Sequence, residues 1–259
     1  MSKRFVLVWL LFGLLSVALS LLFFLPASWF ALALEKQSGG RIVLGDVQGS
    51  FWRGSAFVGG ASGNAGAVTP LFPGRFSWHI SPAILFGQLK VEFENSAVMA
   101  TPIQVTGDWS RWRVSAGSLS LPPERLEGLG APLNTIGPSG KCRLTWNALD
   151  IASVNQQLEL TGVMQLELND MASRLSSIKP LGSYRLDFSW RGSRAELDLV
   201  SLQGPLLLSG KGNMESGRFS FNGKAFAADG QEDKLANLLN LLGQRRKDGN
   251  KDVIALEFK

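Results

Sequence analysis

The side chains that most often carry out catalysis are scarce in this sequence. His79 is the only histidine and Cys142 the only cysteine, and they lie far apart along the chain. A Cys-His pair or a zinc site needs several such groups together, and no candidate serine and carboxylate accompany His79 as a triad would require. Carboxylates are plentiful, but they alternate with apolar residues, as on the wet face of a strand. The sequence therefore predicts no catalytic residue, no metal site and no enzyme.

Two glycine-rich stretches have partial similarity to phosphate-binding loops. The stretch 212–218 has the spacing of a phosphate loop, but Arg218 stands where that motif needs lysine, and no helix follows. Gly210 and Gly212 lack the third glycine and the helix of a dinucleotide-binding fingerprint. The sequence predicts no cofactor and no small-molecule substrate.

The N-terminal segment is the longest apolar stretch. Residues 5–25 contain no charge, and as a helix they would extend about 32 Å, enough to cross the hydrocarbon core of a bilayer. Lys3 and Arg4 precede the stretch, so the positive-inside rule places the N-terminus in the cytoplasm. The predicted anchor residues are Phe5, Trp9, Phe12, Leu15, Leu22 and Leu25.

A cleaved signal peptide is the alternative interpretation, with residues 31–33 (Ala-Leu-Ala) similar to a cleavage site. The apolar core of a signal peptide usually runs for about 7–15 residues, which is shorter than this stretch, so an uncleaved anchor is favoured. The predicted organisation is a cytoplasmic N-terminus (1–4), a transmembrane helix (5–25), a juxtamembrane helix or linker (26–40) and an exported β-rich domain (41–259).

Composition and charge fit an exported β protein. The chain has 29 Gly, 8 Trp and 16 Phe, which is typical of short strands joined by tight turns. Its net charge is +5, but the basic residues are scattered singly apart from the run at 245–247. We therefore expect no nucleic-acid partner, and an anionic membrane surface or an acidic protein fits the charge better.

Alternation of apolar and polar residues dominates the chain after residue 40. Leu89, Val91 and Phe93, for example, alternate with charged residues, which predicts a half-buried strand. Repetition of this pattern predicts ten to twelve strands, beginning with a hairpin that turns at Gly49 and Ser50. The fold class is mainly β: a large, mostly antiparallel sheet, open, curved or sandwich-like, with one or two short helices.

One amphipathic helix and one buried thiol are predicted within this sheet domain. Asp229 and Glu232 have the spacing of a helix-capping box, and an apolar stripe follows at Leu235, Leu238, Leu239 and Leu242. Cys142 shares strand parity with Leu144 and Trp146, which predicts a buried, unpaired thiol.

Several short blocks, in this order, carry a resemblance to a known family. The first covers 45–54 and reads G-x-x-x-G-S-hydrophobic-W-x-G; the others lie at 81–89, 180–184 and 203–210. With the N-terminal anchor, they make the chain similar to the type II secretion system protein N family (general secretion pathway protein N). Gly49, Trp52 and Gly54 of the first block are the candidate interaction or structural motif, and Phe51 and Trp52 are expected to point to opposite faces of their strand.

The resemblance implies a non-catalytic accessory component of the machinery that exports folded proteins across the outer membrane of a bacterium. It would be a single-pass inner-membrane protein with a periplasmic β domain, and its partners would be the membrane and other secretion components. The alternative is a periplasmic lipid-binding or lipid-transfer protein, since amphipathic strands behind an anchor can form a trough with an apolar interior. A third alternative, an envelope hydrolase, has no motif to support it.

Overall fold

The computed structural model describes residues 9, 10, 12–14, 16, 17, 20, 23–40, 42–60, 69–129, 133–154, 157–215, 218–248 and 251–258. Its mainly β, antiparallel character confirms the fold class predicted from the alternating pattern.

The N-terminal segment is described in part. Residues 9, 10, 12–14, 16, 17, 20 and 23 are helical, and the anchor candidates Trp9 and Phe12 are exposed. Leu25 is half-buried, whereas Phe5, Leu15 and Leu22 lie outside the described residues. Within the described residues, no helix combines the length and the apolar character that a bilayer crossing requires. Helix α1 (Ala27–Gln37) follows and packs against the first strand.

Seventeen strands are described, more than the ten to twelve predicted, because short strands and breaks divide the longer alternating stretches. They are β1 (Ile42–Gly49), β2 (Arg53–Gly60), β3 (Thr69–Pro70), β4 (Phe76–Ile80), β5 (Leu89–Glu94), β6 (Ile103–Gly107), β7 (Arg111–Val114), β8 (Gly117–Leu121), β9 (Pro138–Trp146), β10 (Leu149–Val154), β11 (Gln157–Ser173), β12 (Gly182–Gly192), β13 (Arg194–Gln203), β14 (Leu206–Glu215), β15 (Arg218–Ala227), β16 (Gln244–Asp248) and β17 (Lys251–Phe258).

All the strands belong to one sheet, and every described pairing is antiparallel. Strand β1 pairs with β2 at one edge, and β16 pairs with β17 at the other. In the described part of the chain these two edges do not pair with each other, so the sheet is open. Strand β11 is long enough for β9 and β10 to pair one after the other along the same side of it.

The two faces of the sheet differ sharply in polarity. One cross-strand row on eight neighbouring strands consists of Leu119, Leu144, Leu166, Leu186, Leu199, Gly210, Gly223 and Leu256. The next row, on the opposite face, consists of Ser118, Thr145, Gln165, Asp187, Asp198, Lys211, Asn222 and Glu257. At about 4.8 Å per strand, each row is about 34 Å wide.

Two helices cover parts of the apolar face. Near one edge, α1 packs over β1 and β2, where Ala27, Ala56 and Trp78 form a buried cluster. Two further helices are described, α2 (Leu133–Ile136) and α3 (Glu232–Leu242), together with the 3-10 helices Pro82–Phe86 and Pro123–Leu129. Helix α3 packs over β15 and β17 near the other edge.

Helix α3 bears out the predicted apolar stripe but not its predicted start. Leu235, Leu238 and Leu239 are buried, while the side chain of Leu242 lies outside the described residues. The helix begins at Glu232, and the side chain of its N-cap residue, Gln231, makes no capping hydrogen bond. The capping box at Asp229 is therefore wrong: residues 229 and 230 form a turn that precedes the helix.

Candidate functional site

The turn between β1 and β2 contains the candidate motif, and its conformation depends on glycine. Gly49 has a φ of +87°, and a Cβ there would lie 2.4 Å from the Arg53 carbonyl oxygen. The amide of Ser50 donates to that same carbonyl at 2.8 Å, which closes the turn. A side chain at residue 49 would therefore open the turn as well as strain the backbone.

Gly54 lets an indole ring lie directly on the sheet. A Cβ on Gly54 would be 2.4 Å from Cζ2 of Trp78, which sits opposite it on β4. Nε1 of Trp78 donates to the Phe51 carbonyl oxygen at 3.0 Å. The sequence prediction that Phe51 and Trp52 point to opposite faces of a strand is wrong, because both precede β2 and their rings meet edge-on at 5.2 Å.

The same turn joins the N-terminal segment to the sheet. The amide of Phe51 donates to the Leu25 carbonyl oxygen at 2.8 Å, and Pro26 forms an isolated bridge with Ser50. The next residue, Ala27, is 1% exposed, and the ring of Phe30 lies 6.0 Å from that of Trp78. The block around Gly49 and Gly54 thus positions the chain that leads to the predicted anchor.

This geometry makes a prediction for two neighbouring glycines. Changing Gly54→Ala should lower the free energy of unfolding by about 1–3 kcal/mol, since the new methyl group overlaps the Trp78 ring. Gly45→Ala is the matched control, because a Cβ at Gly45 meets no atom within 4 Å. Urea unfolding of the full chain measures both, and equal effects of the two changes would contradict the packing described.

An open groove of about 770 Å³ lies beside this turn, mainly on the polar face of β2, β4 and β5. Arg53, His79 and Glu92 stand directly opposite one another on neighbouring strands and form one wall. The remaining lining residues are Gln48, Gly49, Gly54, Ser55, Ser77, Trp78 and Glu94. The groove therefore offers hydrogen-bond donors and acceptors and side chains of both charges. No metal-binding cluster occurs among the described residues.

A model of the family "Type II secretion system (T2SS), protein N" matches residues 40–253, which include the motif turn, the groove and helix α3. The chain belongs to this family. Membership in this family establishes that the chain takes part in type II secretion. It also confirms the resemblance inferred from the sequence blocks. No curated protein and no solved structure gives a significant match.

The sequence did not indicate the side-chain contacts that hold strand β1 in place. Asp46 has a φ of +46° at an irregularity in the pairing of β1 with β2, and its carboxylate forms an ion pair with Arg75. The hydrogen bond from Arg75 lowers the pKa of Asp46. Arg75 also donates to the Ser55 hydroxyl at 3.3 Å and lies over the Phe57 ring. The only signal in the sequence was the break in alternation at Asp46 and Val47.

Cys142 is buried in β9, as its strand parity predicted. Its side chain is 6% exposed, and burial raises the pKa of its thiol to about 11. Burial acts in this direction because it disfavours the charged thiolate. Cys142 therefore packs as a small apolar residue and is a poor nucleophile at neutral pH.

We expect the native full chain to resist alkylation by iodoacetamide at pH 8 and to react at once when unfolded in guanidinium. A Ser193→Cys variant is the control, because residue 193 is exposed in the turn after β12 and its thiol should react without denaturant. Mass spectrometry after timed quenching gives the number of modified thiols. Rapid modification of Cys142 in the native protein would refute its burial.

Proposed function

We propose that this protein is an inner-membrane accessory component of the type II secretion machinery. It acts by binding other components of the machinery rather than by catalysis. The exposed apolar side chains in the N-terminal segment support membrane attachment, and they are Trp9, Leu10, Phe12, Leu14, Val17, Phe23 and Phe24. In this proposal, residues 5–25 span the inner membrane once, residues 1–4 are cytoplasmic and the sheet is periplasmic.

The observation that carries the binding role is the groove beside the motif turn. Apart from the buried Trp78, its lining residues are exposed or half-buried and include side chains of both charges. The groove lies beside the point where the N-terminal segment enters the sheet. A partner segment could lie along it and exchange hydrogen bonds with Gln48, Ser55 and Ser77. In this proposal, the motif residues Gly49 and Gly54 shape the groove and Trp52 holds the adjoining turn.

A substitution that fills the groove tests this role. Ser77→Arg places a long side chain in the groove, whereas Asn222→Arg adds the same charge to an exposed site on the polar face of β15. Pull-downs from gently solubilised membranes should recover other type II secretion components with the wild-type chain and Asn222→Arg, but much less with Ser77→Arg. Equal recovery with all three would rule out the groove as the binding site.

A second candidate function, lipid binding, is favoured by the apolar face. Helix α3 packs against Leu206, Ala225 and Ile254, near one edge of the sheet. Phe188 and Trp190 lie outside that contact and are half-buried. Nε1 of Trp190 is buried and has no hydrogen-bond partner among the described residues, so no polar side chain there binds the indole. Such a surface suits acyl chains.

Native mass spectrometry of the detergent-extracted full chain tests lipid binding. Lipid-loaded species that persist after delipidating washes, and that decrease in a Phe188→Asp variant, would support this second function. A lipid-free spectrum for the wild-type chain would dismiss it. The pull-down experiment is independent of this result, since Ser77 and Phe188 lie on opposite faces of the sheet.

A further inference from the structure

One end of the sheet is where the N-terminal segment arrives. The contact between Phe51 and Leu25 marks this entry end, at the turn between β1 and β2. Because the pairings are antiparallel, the connections at 81–88 and 108–110 and the strand ends at Val154, Gln157, Glu215 and Arg218 lie at the same end. These strand ends therefore lie at the end of the sheet that the N-terminal segment enters.

These turns and the adjoining strand ends carry exposed apolar side chains where polar residues would be usual. Phe86 is 88% exposed, Trp109 69% and Leu158 65%. Leu85, Val154 and Phe219 are also exposed at this end. We call these six residues the apolar rim. Large exposed apolar groups that occur together normally mark a surface that meets a partner or a membrane.

Three residues of the rim, on neighbouring turns, are linked to one another. Trp109 lies against Gly87, where a Cβ would come within 3.0 Å of its Nε1. The amide of Ser153 donates to the Ser110 carbonyl oxygen at 2.7 Å, and Ser153 pairs with Leu158. Contacts between neighbouring turns thus connect Phe86, Trp109 and Leu158 into one surface.

The turns that carry Phe86 and Trp109 are well defined. The Ser81 hydroxyl accepts from the Ala83 amide at the start of the 3-10 helix, and Gly87 ends that helix with a φ of +85°. The carboxylate of Asp108 accepts from the amides of Ser110 and Arg111 at 2.7 and 2.8 Å. These hydrogen bonds fix the backbone from which the side chains of Phe86 and Trp109 project.

The chemistry of the rim matches a lipid surface. Tryptophan is favoured at the level of the lipid head groups, phenylalanine and leucine insert just below them, and arginine is attracted to anionic lipids. Arg111, Arg191 and Arg218 are exposed at the same strand ends. The same end lies next to the proposed membrane segment. Leu25, whose carbonyl oxygen accepts from the Phe51 amide in the turn between β1 and β2, directly follows the exposed Phe23 and Phe24.

We propose that the apolar rim docks on the surface of the bilayer into which the N-terminal segment inserts. The entry end of the sheet then contacts the membrane. The proposal rests on the membrane attachment proposed above and adds to it a second, peripheral contact made by the folded sheet. The uncovered part of the apolar face then opens directly onto lipid. The far end, with the exposed residue Leu202, then faces the aqueous phase, as does the exposed Leu241 on helix α3.

Spin labels on the full chain in nanodiscs test this orientation. The discs contain phosphatidylcholine and phosphatidylglycerol, and Cys142→Ala provides the cysteine-free background. Single cysteines replace Phe86, Trp109 or Leu158 in the rim, Leu202 at the far end, Leu241 on helix α3, and Phe12 in the N-terminal segment. The collision rates of each nitroxide with oxygen and with a water-soluble nickel chelate report its depth.

Rim labels should favour oxygen over nickel, with depths of about 5–10 Å below the head groups. The labels at 202 and 241 should favour nickel. Leu241 is as exposed as Trp109, so it controls for simple exposure. Far-UV circular dichroism confirms that each variant is folded.

Two outcomes for the rim labels would overturn the proposal. Rim labels as accessible to nickel as those at 202 and 241 would place the entry end in water. Rim labels shielded from both reagents would show that a protein surface, from a second copy or another partner, covers the rim. If the label at residue 12 lies in lipid in either case, the membrane attachment stands and only the rim contact fails; if it is in water, the attachment itself fails.

Discussion

Replacing Trp78 with alanine is expected to lower the free energy of unfolding by about 3–5 kcal/mol, the usual cost of truncating a large buried aromatic side chain. Trp78 is 8% exposed, covers Gly54, packs with Ala27 and Ala56, and donates a hydrogen bond to the turn that receives the N-terminal segment. Thermal unfolding of the full chain in detergent should show the loss as a shift of about 2–4 °C for each kcal/mol.

Two control variants test whether the loss of stability comes from the buried ring of Trp78. Trp78→Phe keeps most of the buried area but removes the 3.0 Å hydrogen bond to Phe51, so it should cost about 1 kcal/mol or a little more. Trp109→Ala removes an indole that is 69% exposed and should change stability by less than about 0.5 kcal/mol. If Trp78→Ala were as mild as Trp109→Ala, Trp78 would not hold the junction between α1 and the sheet.

Replacing Leu235 with alanine is the second large effect and should cost about 2–5 kcal/mol. Leu235 is fully buried between α3 and the strands, in the cluster that includes Leu206 and Ile254. The cavity left behind cannot collapse easily, because Ala225 and Ala227 already bring the sheet backbone close to the helix.

The same helix supplies the control for this prediction. Leu241→Ala makes the same chemical change at a residue that is 69% exposed, and it should be nearly neutral. Urea unfolding followed by tryptophan fluorescence measures both variants. A large loss with Leu241→Ala and a small one with Leu235→Ala would mean that α3 presents a different face to the sheet.

Local alternation was sufficient to predict most of the strands. The period of two at Leu89, Val91 and Phe93 gives both the strand and the face that is apolar, because successive side chains point to opposite sides. The stripe at Leu235, Leu238 and Leu239 gave α3 in the same way. Both signals are contained within a few neighbouring residues.

Contacts between distant residues could not be read from the sequence. Nothing near Gly54 indicates that the ring of Trp78 lies on it, and nothing near Asp46 indicates its ion pair with Arg75. The chain bends at Phe51 and Trp52 because the Phe51 carbonyl accepts from Trp78 and the Phe51 amide donates to Leu25. Alternation within the local sequence therefore mispredicted the directions of these two side chains. The apolar rim was missed for the same reason, since its residues come from separate turns.

Protease treatment of intact spheroplasts tests most directly whether the sheet lies outside the inner membrane, attached by its N-terminal segment. With an epitope at the C-terminus of the full chain, we predict that added protease removes the epitope from spheroplasts but not from whole cells, where the outer membrane protects it. Survival of the epitope in intact spheroplasts, followed by its loss after lysis, would place the sheet in the cytoplasm and contradict the account.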